Sequence, residues 1–221
     1  MIKKEYDKSY YDDIGQQSVE SMTNKYDKFL SYIKININPK IIVDLGCGSG
    51  TMCDYLKKRY PDSDVYGLDG FDIPLKQAKQ KYNNIVFKKC NLEKDIFPFD
   101  DNSIDLIVSH EVIEHLSDLE NYLSESFRIL KEDGLILLKS PNRLDIMRLI
   151  LPLFRKTWYA DRDRTHIKYY DIFNGKKELE KYCFSNVLTY SGTKPFIQKY
   201  GIKIPAIPIA GNGLILIGIK P

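Results

Sequence analysis

Short apolar runs alternate with amphipathic segments through the first two thirds of the chain. Each run is bounded by turn residues, as buried strands are, and between most runs the apolar residues recur at helical spacing. This alternation is typical of βαβ units, which build a parallel sheet. The runs predict strands at residues 41–45, 65–68, 85–88, 104–109 and 135–139, and the amphipathic segments predict helices at 52–59, 73–81 and 119–130.

The last third departs from this rhythm. A basic and aromatic stretch at 142–168 precedes a predicted helix at 172–182, and apolar runs at 187–191 and 214–219 are expected to pair as an antiparallel ending. Prolines among apolar residues make the segment 194–212 suitable for an irregular cover. The expected fold class is α/β: a doubly wound, mostly parallel seven-stranded sheet with an antiparallel last strand and helices on both faces.

Composition narrows the class of protein. The 221 residues are 43% hydrophobic and 29% charged, which is the balance of one ordinary globular domain. A net charge of +3 gives no general argument for a nucleic-acid or membrane partner. No apolar run resembles a signal peptide or approaches about 18 residues, so a cytoplasmic protein is expected. The four cysteines form no CxxC pair and have no histidine at zinc-ligand spacing, so we expect reduced thiols and no metal site.

A glycine-rich turn follows the first predicted strand. Residues 44–51 read DLGCGSGT and lead directly into a helix, so Gly46, Gly48 and Gly50 would let a ligand approach the backbone closely. Thr51 stands where a dinucleotide fingerprint has its third glycine. Asp44 would repel a pyrophosphate but suits the sulfonium and ammonium of S-adenosylmethionine. The alternative, that the glycines serve only a tight turn, remains open.

A second acidic residue ends the next predicted strand. Asp69 lies about 20 residues past the loop, where a carboxylate can accept hydrogen bonds from both hydroxyls of a ribose. A solvated turn residue in the segment 69–72, which reads DGFD, is the alternative interpretation.

Together, residues 43–51, 68–71 and 90–142 resemble class I S-adenosylmethionine-dependent methyltransferases. The resemblance implies a Rossmann-like fold, an enzyme that transfers methyl groups, and S-adenosylmethionine as the cofactor. Asn91 stands where most members carry Asp, but its amide oxygen can still accept a hydrogen bond from the adenine amino group. Residues 109–116 resemble the segment that lines the methionine end of the cofactor and the substrate mouth, and His110 is the member of it nearest the chemistry. The implied cofactor contacts are Asp44, Gly46, Cys47, Gly48, Gly50, Asp69, Gly70, Phe71, Asn91, Leu92 and His110.

The resemblance also divides the single domain, 1–221. Residues 1–40 are expected to form an N-terminal helical lid and 41–141 the cofactor-binding core, while 142–168 and 193–212 cover the substrate side. Tyr6, Tyr10 and Tyr11 resemble the aromatic segment that closes over the cofactor in many relatives. Packing of a first amphipathic helix explains these tyrosines nearly as well.

The two other histidines lie near the expected acceptor side. Residues 163–170 resemble the D-x-T-H-x-x-x-Y signature of methyltransferases that tailor small molecules and glycans. His166 is therefore a candidate general base or substrate contact, with His110 as the second catalytic candidate. A structural histidine at the start of the next helix is the alternative for His166. His115 is expected to pack within its helix, four residues after Glu111 on one face.

The stretch 142–168 raises three hypotheses about the acceptor. Its basic residues favour an anionic acceptor, whereas an amphipathic lid helix at 144–154 with a solvated basic face explains them equally well. Residues 147–154 could instead lie on a membrane surface and present a lipid-linked acceptor, which we rank below both. The basic and aromatic residues concerned are Arg143, Arg148, Arg155, Lys156, Trp158, Arg162 and Arg164.

The preferred function is methyl transfer to an oxygen of a small-molecule or glycan acceptor. A non-catalytic module that binds a nucleoside or a partner protein is the main alternative. A nicotinamide-dependent reductase is opposed by Asp44 and Thr51, and no nucleic-acid substrate is expected because no Asn/Asp-Pro-Pro-Tyr motif for an extruded base is present. The sequence specifies neither the acceptor nor an oligomeric state.

Overall fold

Seven strands form one mixed sheet in the computed structural model, which describes residues 19–35, 37–192 and 211–221. The strand order is β3-β2-β1-β4-β5-β7-β6; β7 runs antiparallel to β5 and β6, and the other neighbours pair in parallel. The fold class expected from the sequence is confirmed. The strands are β1 (Ile41–Leu45), β2 (Asp64–Asp69), β3 (Val86–Lys89), β4 (Ile104–His110), β5 (Leu130–Pro141), β6 (Ser185–Gly192) and β7 (Gly213–Ile219).

Helices cover both faces of the sheet. One core contains buried residues of α4 and α6, and the core on the opposite face contains residues of α1, α2 and α3. Three 3-10 turns, at Ile113–His115, Leu151–Phe154 and Ala160–Arg162, lie in the connections. The helices are α1 (Val19–Leu30), α2 (Thr51–Arg59), α3 (Asp72–Lys81), α4 (Glu120–Ile129), α5 (Met147–Ile150) and α6 (Ile172–Lys181).

The central strands are buried on both faces. In β1, Val43 and Leu45 point into one core and Ile42 into the other; in β5, Leu138 and Leu137 divide in the same way. Strands covered by helices on both sides read as nearly continuous apolar runs, which is why the sequence pattern locates them well.

The predicted helix at 144–154 is only partly present. Its α-helical part is the four-residue α5, and the chain then tightens into the 3-10 turn Leu151–Phe154. Pro152 explains the break, because proline has no N–H to donate to the carbonyl one turn earlier. Leu149 and Leu153 are exposed, so this segment does not pack as a regular amphipathic lid.

The carboxyl ends of β1, β2, β4 and β5 meet at one edge of the sheet. The chain reverses its strand order between β1 and β4, and ligands of open α/β sheets bind at such a switch point. A ligand site is therefore expected at this edge. The predicted lid tyrosines Tyr6, Tyr10 and Tyr11 and most of the cover segment 193–212 lie outside the described residues.

Among the helices that the structure describes, none has the length and apolar character needed to span a membrane.

Candidate functional site at the carboxyl edge of the sheet

The three loop glycines have different roles in the turn between β1 and α2. All have positive φ angles, of 79°, 52° and 83° for Gly46, Gly48 and Gly50, which favour glycine. A Cβ on Gly46 would lie 2.4 Å from Val112 Cγ2, and one on Gly50 would lie 2.7 Å from Phe87 Cζ. A Cβ on Gly48 would meet no atom of the described residues within 4 Å. Gly46 and Gly50 thus allow close packing, whereas Gly48 faces space that a ligand can fill.

Asp69 ties the end of β2 to this loop. Its Oδ2 accepts a hydrogen bond from Gly48 N at 2.9 Å, and its Oδ1 accepts one from Phe71 N at 2.9 Å. The residue is 8% exposed, so it is not a solvated turn residue. Burial raises the pKa of Asp69, while the backbone N–H donors oppose that change. Each oxygen retains a lone pair for a further donor, such as a ribose hydroxyl.

Asp44 is a second buried carboxyl group beside the loop. The pKa of Asp44 is raised to about 7, mainly by burial. The Cys53 thiol donates a hydrogen bond to Oδ2 at 3.3 Å and opposes this rise, whereas the charge of Asp69 adds to it. No cationic side chain of the described residues is among the groups that shift this pKa. A cationic ligand would therefore stabilise the ionised form of Asp44, which fits the sulfonium or ammonium of S-adenosylmethionine.

The predicted adenine segment lies next to Asp69. Cys90 N donates to Asp69 O at 2.9 Å, which brings Asn91 and the buried Leu92 to the end of β2. Asn91 Oδ1 accepts a hydrogen bond from Glu93 N at 3.0 Å, so part of its acceptor capacity already serves the turn. Gly70 and the half-exposed Phe71 line the same edge.

His110 ends β4 in an aromatic environment. Its ring meets those of Tyr26 and Phe29 edge-on, with centroids 5.7 and 5.2 Å apart. Burial, followed by the charges of Lys139 and Lys25, holds the pKa of His110 well below its usual range. Its Nε2 is buried and has no hydrogen-bond partner among the described residues. A neutral imidazole with an unsatisfied nitrogen suits contact with a bound ligand.

A cavity of about 620 Å³ opens beside His110, and the sequence did not identify its polar residues. The lining includes Phe29, Tyr159, Lys25, Lys139 and Glu111. Lys139 and Glu111 form an ion pair. Burial, with the nearby charges of Lys25 and Lys28, lowers the pKa of Lys139 to about 7. The sequence did contain one signal, since Lys139 is the charged residue that closes the predicted apolar strand at 135–139.

His166 lies in a different cluster from His110. Its ring contacts those of His115 and Tyr169, with centroids 4.7 and 5.9 Å apart. His166 Nδ1 lies 2.8 Å from Ala160 O, and its Nε2 lies 4.0 Å from Glu114 Oε1. Burial is the main cause that lowers the pKa of His166. The candidate base thus faces a buried carboxyl group that the sequence analysis did not single out.

The expectation for His115 is wrong. Glu111 has a φ of 59° and lies before the 3-10 turn Ile113–His115, so the two residues share no helix face. His115 Nδ1 instead lies 2.9 Å from Thr165 Oγ1. The apolar and charged residues of 109–116 resemble a helix in sequence, but the chain leaves β4 through a strained residue before it turns.

Two of the basic residues in 142–168 hold the insert in place. Arg143 forms an ion pair with Asp171 at 2.8 Å, and the guanidinium of Arg148 lies over the rings of Trp158 and Tyr169. Trp158 is buried, and its Nε1 donates to Asp145 Oδ2 at 2.7 Å. The charge of these two arginines is therefore already engaged within the protein.

Comparison with known proteins gives consistent similarities. The family described as "Methyltransferase domain" matches residues 43–138. The chain is 32% identical over 127 residues to malonyl-(acyl-carrier protein) O-methyltransferase 1 of Coxiella burnetii, covering 58% of this chain and 42% of that protein. It is 29% identical over 186 residues to demethylmenaquinone methyltransferase of Thermotoga maritima, covering 81% and 76%.

A solved structure shows the same fold over nearly the whole chain. The crystal structure of an S-adenosylmethionine-dependent methyltransferase from Archaeoglobus fulgidus aligns with a TM-score of 0.73 at 20% identity, covering 97% of this chain and 100% of the other. The alignments span only about two fifths of the length of the first curated relatives that the chain matches.

Proposed function

We propose that the chain is a class I S-adenosylmethionine-dependent methyltransferase that uses S-adenosylmethionine as its cofactor and methylates an oxygen of a small-molecule or glycan acceptor. The observation that carries this proposal is the cavity beside His110. It places aromatic and cationic side chains at the same edge of the sheet as the glycine loop. The Coxiella burnetii relative is named as an O-methyltransferase, which supports oxygen as the acceptor atom.

The cofactor half of the proposed site is formed by β1, β2 and the loops that follow them. Asp69 would accept the ribose hydroxyls, Gly48 would allow close approach, and Asp44 would face the cationic end. The cofactor supplies an electrophilic methyl group on a sulfonium. The full proposed set is Asp44, Gly46, Cys47, Gly48, Gly50, Asp69, Gly70, Phe71, Asn91, Leu92 and His110.

The acceptor half is the cavity. Phe29 contacts the His110 ring and also lines the cavity, so an acceptor bound there lies beside the proposed methionine end of the cofactor site. Aromatic side chains would pack against a planar or sugar ring, and Lys25 and Lys139 would attract a partly ionised oxygen. Alignment of the acceptor oxygen with the methyl group supplies most of the rate enhancement in such a displacement.

A hydroxyl acceptor must lose a proton during the transfer, and a neutral histidine can accept it as a general base. His110 has an unsatisfied nitrogen near the cavity and a lowered pKa, so it remains neutral at physiological pH. His166, the first candidate from the sequence, also stays a candidate, with its Nε2 directed toward the carboxyl groups of Glu114 and Asp163. The non-catalytic alternative predicts binding of S-adenosylmethionine without transfer to any acceptor.

The test uses the full chain with labelled S-adenosylmethionine and a panel of phenols, carboxylates, sugars and glycans. We expect label in at least one hydroxyl-bearing acceptor and none in its methyl ether, in which the oxygen is already blocked. Calorimetric titration with S-adenosylmethionine and with a nicotinamide dinucleotide provides the binding control. Tight binding of the dinucleotide alone would contradict the proposal.

Cofactor binding should strengthen as pH rises from 6 to 7.5. With a pKa of about 7, the ionised fraction of Asp44 rises from about a tenth to about three quarters over this range. A cation binds the ionised form more tightly, so the dissociation constant of S-adenosylmethionine should fall about eightfold, measured by calorimetry. Asp44→Asn should bind more weakly and show a flat profile. Asp54→Asn, at a partly buried residue of α2 that pairs with Lys58, should keep the parent profile. A flat parent profile would refute the role of Asp44.

A lipid-linked acceptor is the second candidate. Leu149, Leu153 and Phe154 are 77%, 80% and 68% exposed, and Arg155 and Lys156 follow them. Such a surface would enter the interface of an anionic membrane. Co-sedimentation with vesicles that contain anionic lipid should then exceed that with neutral vesicles, and the double change Leu153→Ser with Phe154→Ser should remove most of it. Equal recovery with both vesicle types would exclude this candidate.

A further inference from the structure

Two histidines and a buried carboxylate converge on the connection after β4. Glu114 and His115 belong to the 3-10 turn Ile113–His115, whereas His166 comes from the loop before α6. Ile167 N and Lys168 N donate to Glu114 O at 2.9 and 3.2 Å and hold that loop against the turn. One ligand-type atom from each of the three side chains lies within 4.8 Å of the others.

Hydrogen bonds to the histidines fix which ring nitrogen carries the lone pair. His166 Nδ1 must donate to Ala160 O, because a carbonyl oxygen only accepts, so Nε2 has the lone pair. The Thr165 hydroxyl donates its proton to Asp163 Oδ1 at 2.5 Å and must therefore accept from His115 Nδ1. His115 Nε2 then has the lone pair as well. Metal-binding histidines commonly donate their other ring N–H to a carbonyl or carboxylate group, which fixes the tautomer. Here His166 donates Nδ1–H to a carbonyl, and His115 donates Nδ1–H to a hydroxyl that is itself bonded to a carboxylate.

An independent observation comes from Glu114. The residue is 0% exposed, and neither carboxylate oxygen has a hydrogen-bond partner among the described residues. The Ser140 hydroxyl is near enough to affect its ionisation but does not reach hydrogen-bonding geometry. A carboxyl group buried without such partners is costly to ionise, and a bound cation would stabilise its ionised form.

We propose that Glu114, His115 and His166 bind one divalent transition-metal cation through a carboxylate oxygen and the two Nε2 atoms. Bonds of about 2.0–2.2 Å place neighbouring ligand atoms about 3–4 Å apart. The 4.0 Å between His166 Nε2 and Glu114 Oε1 already meets this spacing, and side-chain rotation supplies the remaining contraction. Two imidazoles with one carboxylate favour Zn²⁺, Fe²⁺, Co²⁺ or Mn²⁺ over Mg²⁺ or Ca²⁺. Sequence motifs for metal sites do not find this one, because His166 is far from Glu114 and His115 along the chain.

The metal site lies beside the cavity. Lys25 lines the cavity. Burial lowers the pKa of Lys25, and the charge of Glu114 partly opposes this lowering. Three protein ligands leave coordination positions open. If the proposed methyl transfer to a hydroxyl holds, on which this step rests, the cation would act as a Lewis acid toward the acceptor oxygen. His166 would then serve as a ligand rather than as the general base.

The test measures metal binding without methyl donor or acceptor, so its outcome is separate from that of the proposed function. Chelator-treated protein is titrated with Co²⁺, followed by visible absorption, and with Zn²⁺ by calorimetry. We expect one equivalent per chain. Glu114→Gln and His166→Asn should each weaken binding by at least about 100-fold, and Thr165→Val, which removes the group that orients His115, by about 10- to 100-fold.

Matched controls are His110→Asn and Glu180→Gln, which replace a histidine and a glutamate outside the cluster and should bind within about threefold of the parent. If Glu114→Gln fails to fold by circular dichroism, His166→Asn and Thr165→Val decide the question. Absence of a saturable Co²⁺ band in the parent, or parent-like affinity of His166→Asn, would overturn the proposal.

Discussion

Replacement of Asp69 by alanine is expected to weaken binding of S-adenosylmethionine by at least about 100-fold. The carboxylate holds Gly48 N and Phe71 N, and it is the group proposed to accept both ribose hydroxyls. Hydrogen bonds to a charged group contribute about 1.5–3 kcal/mol each, so loss of two exceeds two powers of ten in affinity. Isothermal calorimetry on the purified full chain measures the change.

Asp64→Ala is the matched control for Asp69→Ala. Asp64 begins β2 at the opposite edge of the sheet and is exposed, so the same substitution there should leave the dissociation constant within about twofold. Asp69→Asn separates charge from shape, because an amide oxygen still accepts hydrogen bonds, and it should fall between the parent and alanine variants. Parent-like affinity of Asp69→Ala, in a variant that melts like the parent, would refute the assignment of this edge to the cofactor.

Periodicity in the sequence predicts the sheet well because its central strands are covered on both faces. Ile42 and Val43 enter opposite cores, and both are fully buried. A short apolar run bounded by turn residues therefore identifies such a strand whichever way each side chain points. Prediction is weaker at 144–154, where helical spacing of apolar residues is overridden by Pro152 and by exposure of Leu149 and Leu153.

The candidate site is predictable only where its residues follow strand ends. Asp44, Asp69 and His110 each lie at or beside the carboxyl end of a parallel strand, and such ends meet at one edge of the sheet. Glu114 and His166 are brought together by backbone hydrogen bonds between distant segments, which no local pattern encodes. For this reason the sequence identified His166 as a candidate but gave it no partner.

The cavity connects the cofactor half of the proposed site with the histidine–carboxylate cluster. Phe29 joins it to His110 through a ring contact, and Lys25 joins it to Glu114 through their opposite charges. An acceptor in the cavity would therefore lie near both the proposed methyl donor and the proposed cation.

Alanine substitutions at the loop glycines should separate packing from ligand binding. At Gly46 the added Cβ overlaps the Val112 side chain at 2.4 Å and imposes a positive φ on a non-glycine residue. The conformational cost is about 1–2 kcal/mol and overpacking adds about 1–3 kcal/mol, so Gly46→Ala should lower the free energy of unfolding by about 2–5 kcal/mol. Urea denaturation followed by circular dichroism measures this loss.

Gly48→Ala should give the opposite pattern. Its Cβ enters open space, so only the conformational cost of about 1–2 kcal/mol applies, whereas affinity for S-adenosylmethionine should fall by more than about tenfold because the methyl group occupies the proposed cofactor space. Gly213→Ala, where the nearest atom is Lys139 Cε at 3.6 Å, is the stability control and should change unfolding by less than about 0.5 kcal/mol. Equal destabilisation by Gly46→Ala and Gly48→Ala, with unchanged affinity in the latter, would mean that both of these glycines serve only the turn.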